Sequence, residues 1–394
     1  MVHIKNILNL CGRQYFFKPV PFNTTESMLL KYDCGPAGEL LRNNIHQEWF
    51  LSNVINSEDL MLPFTPQENG QSFQAIRDAF AYAKELCCDK LPFGISNTNV
   101  QMLNKLDPSP GSSEFLTDFL FMNHNKVGGS GYFYPEKHTL LRLYIFSHPA
   151  KSTQAFSFWQ QQRKSWWRKF SGSPGRYSLT DVNSIPLGDL VMIRAEYPWG
   201  MQCLEALCLR GTKPFEEMDE STRIQFEVKD GRRSILPHVI ECVTTLDGAM
   251  LTFLCDAYEE RPLPTPSKVN SNSTDSSMRY TFHIHRRLAP YKASFSASST
   301  SASSAEDLHD LAVYLTKSLR RSGISVLLLP DLTKKSLEAQ HVRNDEMGIP
   351  YTIVMNESSL KNGIIGLRSL DTTLKEQLHI TDLKSHMRKL LKNY

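Results

Sequence analysis

The chain has 394 residues, 44 lysines and arginines against 41 acids, and a formal net charge of +3. With 41% hydrophobic and 22% charged residues this is an ordinary globular composition with room for two or three domains. Eight scattered cysteines without a Cys-x-x-Cys pair argue against zinc knuckles and a disulfide framework, and no apolar run reaches the roughly 18 residues of a membrane span. The charge excess alone does not identify a nucleic-acid partner, so any such claim rests on local clusters.

In chain order, residues 1–25 carry Lys5, Arg13 and Lys18 and no acid before Glu26. Ile4, Ile7, Leu8 and Leu10 share one helical face, as in a mitochondrial presequence; a basic first helix of a cytosolic protein is the competing reading. Helices are expected over 35–51 and 73–88, strands over 91–106, 139–146 and 235–243, and an aromatic-rich helix over 153–170. In that helix Trp159, Trp166 and Phe170 fall at core spacing, while Arg163, Lys164, Arg168 and Lys169 supply four basic side chains. Gly128-Gly129-Ser130-Gly131 reads as a flexible turn, and Asp230-Gly231 predicts a hairpin turn carrying Arg232 and Arg233.

Residues 261–278, rich in proline and serine, read as a surface segment before a compact last unit. His283 and His285 alternate along an expected strand but lack the further ligands of a metal site. Residues 286–394 then alternate: a strand at Tyr291–Phe295, a helix entered through a Ser303/Glu306 capping box and stopped at Gly323, a buried strand at Ile324–Leu329, a helix at Ser336–Met347, a strand at Ile349–Met355, a strand at Gly363–Arg368 and a helix at Thr381–Leu391. This pattern predicts a mixed sheet with helices on both faces. No Gly-x-x-x-x-Gly-Lys loop, His-Glu-x-x-His or nucleophile elbow occurs.

Leu288-Ala289-Pro290, Asp345-Glu346-Met347-Gly348-Ile349-Pro350 and Leu367-Arg368-Ser369-Leu370-Asp371-Thr372-Thr373 resemble the anticodon-binding domain of class IIa tRNA synthetases. Gly35-Pro36-Ala37-Gly38-Glu39-Leu40 with Asn43, Asn44 and Trp49 resembles the first class II motif of glycyl-tRNA synthetases. Leu91-Pro92-Phe93-Gly94-Ile95 resembles the entrance to the second motif, Tyr197-Pro198-Trp199-Gly200 with Glu205 a substrate-side turn and helix, and Pro237–Glu241 through Phe253–Tyr258 the third motif. Phe158-Trp159, Trp166-Trp167-Arg168-Lys169-Phe170, Asp230-Gly231-Arg232-Arg233 and the tail from Asn362 to Ile380 are similar to the family of mitochondrial DNA polymerase accessory subunits.

The resemblance implies an α+β antiparallel-sheet, class II synthetase-like body over 26–285 and an α/β three-layer anticodon-binding-like domain over 286–394, preceded by the presequence of 1–25. It also implies that the family's two ATP-binding arginines and the glutamate after the first fall here at Leu103, Gly248 and Lys105. A guanidinium fork pairs two phosphate oxygens at once, which neither leucine nor glycine can do. The expectation is therefore a non-enzymatic partner, without catalytic residues, metal or cofactor, that raises processivity in mitochondrial DNA replication. A glycyl-tRNA synthetase-like enzyme and a tRNA-binding factor are the alternatives.

The expected partners are the catalytic subunit of the mitochondrial polymerase and double-stranded primer–template DNA, in the matrix nucleoid and away from membranes. Arg163, Lys164, Arg168, Lys169, Arg232, Arg233, Arg286 and Arg287 are the DNA-binding candidates. Gly363, Arg368, Asp371, Lys375, Lys384 and Arg388 are the candidates for docking the catalytic subunit; a tight turn is the plainer reading of Gly363. The stretch 52–90, where vertebrate relatives carry a long helical insertion used for dimerisation, is short here. That argues against a homodimer and for a one-to-one complex.

Overall fold

The computed structural model describes residues 2–20, 31–65, 73–102, 116, 137–197, 200–216, 218–262, 278–330 and 332–392. Helix α1 (Val2–Arg13) leads into a hairpin of β1 (Phe17–Val20) and β2 (Lys31–Cys34), then α2 (Pro36–Phe50), which continues into a π-helical turn at Leu51–Ile55. After β3 (Met61–Phe64) and α3 (Arg77–Leu86), the chain forms β4 (Phe93–Met102), β5 (Lys137–Ser147) and α4 (Ser152–Lys169). The short strands β6 (Tyr177–Leu179) and β7 (Asn183–Ile185) precede the long pair β8 (Gly188–Tyr197) and β9 (Gly200–Gly211). Short helices α5 (Lys213–Glu216) and α6 (Glu220–Gln225) and the hairpin β10 (Val228–Asp230) with β11 (Arg233–Ile235) lead to β12 (His238–Thr245) and α7 (Leu246–Ala257).

The central sheet runs β3-β4-β5-β12-β9-β8-β6, with β7 also on β8; every pairing is antiparallel except β3 on β4. Side chains alternate across it. Leu141, Leu143, Ile145, Ile240 and Cys242 face α2, α4 and α7 in the largest core. Tyr144, Phe146 and Val239 face the other way, where Phe73, Phe80, Phe93, Phe215 and Phe226 pack with rings mostly 4.7–5.7 Å apart. The expected strand over 91–106 is β4 as far as Met102; residues 103–106, and with them Leu103 and Lys105, lie outside the described residues, as does the glycine run 128–131.

A further antiparallel pair, β13 (Tyr258–Pro262) with β14 (Met278–Phe282), leads to the C-terminal domain. Its elements are β15 (Ala293–Ala297), α8 (Ala302–Arg320), β16 (Val326–Leu327), α9 (Leu337–Glu346), β17 (Tyr351–Met355), α10 (Glu357–Asn362), β18 (Ile364–Ser369), β19 (Lys375–His379) and α11 (Ile380–Lys392). The sheet order is β16-β15-β17-β18-β19, parallel through β17 and antiparallel beyond. Phe295, Ile353 and Leu367 pack with Leu308, Leu315, Leu383 and Met387 of α8 and α11. Ser296 and Thr352 meet Asn344 of α9 on the opposite face, giving three layers.

Several expectations shift. Helix α8 is capped by Ser301 onto the Ser304 amide, not by a Ser303/Glu306 box, because the helix begins two residues earlier. The strand expected at Tyr291–Phe295 begins at Ala293, one residue after the Lys292 amide donates to the Ser325 carbonyl at 2.8 Å. Of the apolar run Ile324–Leu329 only Val326–Leu327 pairs. Where a turn and helix were expected at 197–205, Gly200–Glu205 lies within β9, paired with β8; residues 198 and 199 lie outside the described residues. His283 and His285 follow β14 instead of lying within it.

The first helix packs into the body of the fold. Ile7, Leu10 and Cys11 of α1 and Phe16 and Phe17 after it are buried in the main core. The chain then passes so close to the start of α2 that a Cβ on Gly35 or Gly38 would lie 2.2 Å and 1.9 Å from the Tyr15 and Phe16 carbonyl oxygens. The Gly35 and Ala37 amides donate to those oxygens at 3.0 and 3.1 Å. The amphipathic pattern that resembles a removable leader thus builds part of the body: the periodicity reports an apolar face but not what covers it. Leu10→Ala should lower the unfolding free energy by about 3 kcal/mol in urea titrations. Arg13→Ala, which removes a half-exposed pair with Glu346, should cost less than about 1 kcal/mol.

Candidate nucleic-acid interface and interdomain seam

Helix α4 has two chemically distinct sides. Phe156, Trp159, Arg163, Trp166 and Trp167 point into the core. Trp167 stacks on Phe253 at 5.5 Å, and Trp166 meets Phe170 edge-on at 5.6 Å. The core reading of the tryptophans therefore holds. It also captures Arg163, which is 0% exposed and not a DNA contact.

Arg163 Nε and Nη2 donate to the two carboxylate oxygens of Glu205 at 2.7 and 3.1 Å, and Nη1 donates to Asn53 Oδ1 at 2.5 Å. Trp167 Nε1 completes the carboxylate's shell at 2.7 Å. Glu205 reaches this side because the β8–β9 register shifts at Ile193/Arg194, leaving Leu204 unopposed and turning the next side chain toward α4. The signal was present in the sequence: Arg163 lies four residues after Trp159 and three before Trp166, on the buried stripe.

The outer side differs. Arg168 and Lys169 are exposed and Lys164 is half-buried. Arg232 and Arg233 are exposed on the β10–β11 hairpin, whose turn contains Gly231 at φ 64° as expected. Arg287 is committed to Glu48 of α2 at 2.7 Å, so this candidate joins the two domains. Arg286 is half-buried beside it.

The seam between body and C-terminal domain is dense with such bonds. Asp345 receives Arg368 in a two-point fork at 2.7 and 2.9 Å and Arg279 at 2.6 Å. Glu346 receives Arg13 and Gln14 at 2.8 and 2.7 Å. Arg368 is thus a structural clamp, not a free docking contact. Lys292 Nζ donates to the Arg287 and Ala289 carbonyls, and desolvation pushes it down to about 7. Burial, reinforced by Arg286, Arg287, Lys169 and Lys292, holds His285 down at about 4. His283 lies between Glu259 and Asp371 at 2.9 and 3.4 Å and keeps the Asp371 carboxyl below the usual range.

Of the remaining docking candidates, Lys375 is in the edge strand β19, Lys384 and Arg388 are on α11, and Gly363 and Asp371 lie before and after β18. Gly363 caps α10 at φ 69°, and a Cβ there would lie 2.5 Å from His379 Nε2, so glycine is required for the turn. Asp371, Lys375, Lys384 and Arg388 are exposed.

Gly248, in the place of the third-motif arginine, sits in the first turn of α7. Its amide donates to the Thr245 cap at 3.1 Å, and a Cβ would lie 2.5 Å from that oxygen. Guanidinium groups missed by sequence reasoning lie nearby but are engaged by acids. Arg42 pairs with Asp247 at 3.4 Å and Glu39 at 3.0 Å, and Arg210 pairs with Glu241 at 2.9 Å. Among the described residues no group of three or more His, Cys, Asp or Glu side chains could hold a metal ion, and no helix is long and apolar enough to cross a membrane.

Two predictions separate these roles. Arg163→Ala should cost about 3–5 kcal/mol by stranding Glu205, while leaving duplex affinity per folded molecule unchanged. Because Lys292 titrates at about 7 instead of 10.5, the unfolded chain holds more protons between those values, so its contribution makes stability rise with pH across that window. Lys292→Met should flatten that rise in thermal melts from pH 7 to 9.

Known proteins match this arrangement in two ways. The family model of the anticodon binding domain matches residues 295–390. Over 408 residues the chain is 25% identical to the mitochondrial DNA polymerase subunit gamma-2 of Xenopus laevis, covering 97% of this chain and 86% of that protein. It is 26% identical over 440 residues to the DNA polymerase subunit gamma-2 of Mus musculus, covering 98% and 90%. The glycine–tRNA ligase of Borreliella afzelii is 24% identical over 263 residues, covering 64% of this chain and 55% of that enzyme. Almost from end to end, the chain is similar to the gamma-2 subunits of DNA polymerase, with a narrower likeness to glycine–tRNA ligases.

Proposed function

We propose that this chain is the accessory subunit of a mitochondrial DNA polymerase: a synthetase-like body and an anticodon-binding-like domain that bind rather than catalyse. The observation that carries the reading is the match to gamma-2 subunits over 97% of the chain. Gly248 supports the non-enzymatic part, since its place in the first turn of α7 leaves no room for an arginine without displacing the Thr245 cap. A missing charged donor to a developing phosphate charge typically costs about 3–4 kcal/mol, or two to three orders of magnitude in rate.

The partner is the catalytic subunit, docked through the exposed Asp371, Lys375, Lys384 and Arg388, in the matrix nucleoid and as a one-to-one complex. The seam fixes how these residues are presented relative to the body, because Asp345, Glu346 and Glu48 hold donors from both domains. DNA contact is sequence-blind and electrostatic, acting on the rate at which polymerase leaves its primer.

A tRNA-binding factor is the second reading, favoured by the anticodon-binding match over 295–390. Primer extension by the cognate catalytic subunit at raised salt, with and without this chain, tests the main reading. Longer products are expected with it; unchanged product length, with tight tRNA binding instead, would favour the second.

A further inference from the structure

The outward face of α4 is chemically unusual for this molecule. The helix has 18 residues and not one acid among them. Some surface arginines here are partly neutralised by a carboxylate: Arg13 pairs with Glu346, Arg77 with Asp78 and Arg261 with Glu259. Lys164, Arg168 and Lys169 form no salt bridge among the described residues; Lys169 Nζ instead lies 5.3 Å from the Phe170 ring centre. One to two turns earlier the same outward side presents Gln161, Gln162 and Ser165, all exposed and all able to donate to phosphate oxygens.

We propose that this strip, Gln161 to Lys169, lies along the phosphate backbone of duplex DNA. The proposal rests on the accessory-subunit reading and locates the DNA contact within it. The strip rises about 12 Å; successive phosphates of one strand are about twice as far apart as their axial rise of about 3.4 Å, so it reaches about two of them. A single-stranded ligand fits less well. Such sites stack successive bases on a row of aromatic side chains; here Trp159, Trp166, Trp167 and Phe170 are buried, and Phe158, 41% exposed, is a single ring beside the strip. The strip is also rigid: the Arg163 fork to Glu205 and the tryptophans anchor the helix from behind, so little ordering cost falls on binding.

A plainer role for Arg168 and Lys169 is to offset the negative end of the helix dipole, worth about 0.3–1 kcal/mol at most exposed sites. That role affects stability and not the salt dependence of DNA binding, so the two separate experimentally. The β10–β11 hairpin provides a control. Arg232 and Arg233 are equally exposed, but their hairpin lies near the other end of α4, where Asp230 meets His148 at 3.2 Å.

The test is equilibrium binding of the full chain to primer–template duplex and to tRNA across a salt series, with melting temperature measured in parallel. The Arg168→Gln/Lys169→Gln variant should bind duplex DNA about tenfold more weakly near 0.1 M salt, with the logarithmic salt slope reduced by about 2, one unit per lost phosphate contact. The Arg232→Gln/Arg233→Gln variant should keep the wild-type slope. An α4 variant with unchanged duplex slope overturns the strip, and if wild-type protein still lengthens primer-extension products the accessory reading stands without it. Loss confined to tRNA binding overturns the assignment to DNA. Absence of both duplex binding and product lengthening by wild-type protein overturns strip and reading together.

Discussion

One buried ion pair organises the body. Arg163 and Glu205, 0% and 1% exposed, are taken fully out of water, and that transfer is unfavourable unless every polar atom is satisfied. Here the requirement is met by three elements at once. Asn53, in the π-helical turn after α2, takes the free Nη1; Trp167 supplies the second donor to Glu205; and the bulge in β9 turns the carboxylate toward them. The π-helical turn, the bulge and the tryptophan run are therefore linked features. Replacing one of them would leave a charge without its partners in the centre of the largest core.

With the inner face of α4 fixed in this way, its outer face is left as a stiff, acid-free surface. The same logic recurs at the domain seam, where Asp345, Glu346 and Glu48 gather donors from α1, β14, β18 and the linker before β15. A domain held by so many charge-assisted bonds is positioned, not swinging. That suits a protein whose work is to present surfaces at a set distance from one another. Elsewhere in the body Arg42 and Arg210 are engaged with carboxylates, and Gly248 lies close under the Thr245 cap of its helix.

Much of this was legible in the sequence. The 3.6-residue spacing in the C-terminal domain placed α8, α9 and α11 within a residue or two, and the continuous apolar runs marked β17. The tryptophans of α4 announced a buried stripe, and Arg163 sat in it by spacing, but its charge suggested the surface. No local rule reveals that a strand far along the chain supplies a carboxylate. Strand β19 was missed because Lys375, Glu376 and Gln377 are polar and exposed, so an edge strand with no buried face leaves no alternation. Helix α1 was legible as an amphipathic helix, but the core that its apolar face meets was not, since a leader's face and a core-facing one have the same pattern. Long-range partnership, at Glu205, Asp345 and Glu346, is what remained hidden.

The central claim is that a synthetase-like body serves here as a scaffold and not as a catalyst. Glycine-dependent exchange of pyrophosphate into ATP measures adenylate formation directly and does not depend on tRNA or DNA. The account predicts no exchange above background at millimolar glycine and ATP. Robust, glycine-specific exchange would contradict it, because the guanidinium groups already bound to Asp247 and Glu241 would then have to hold a triphosphate as well.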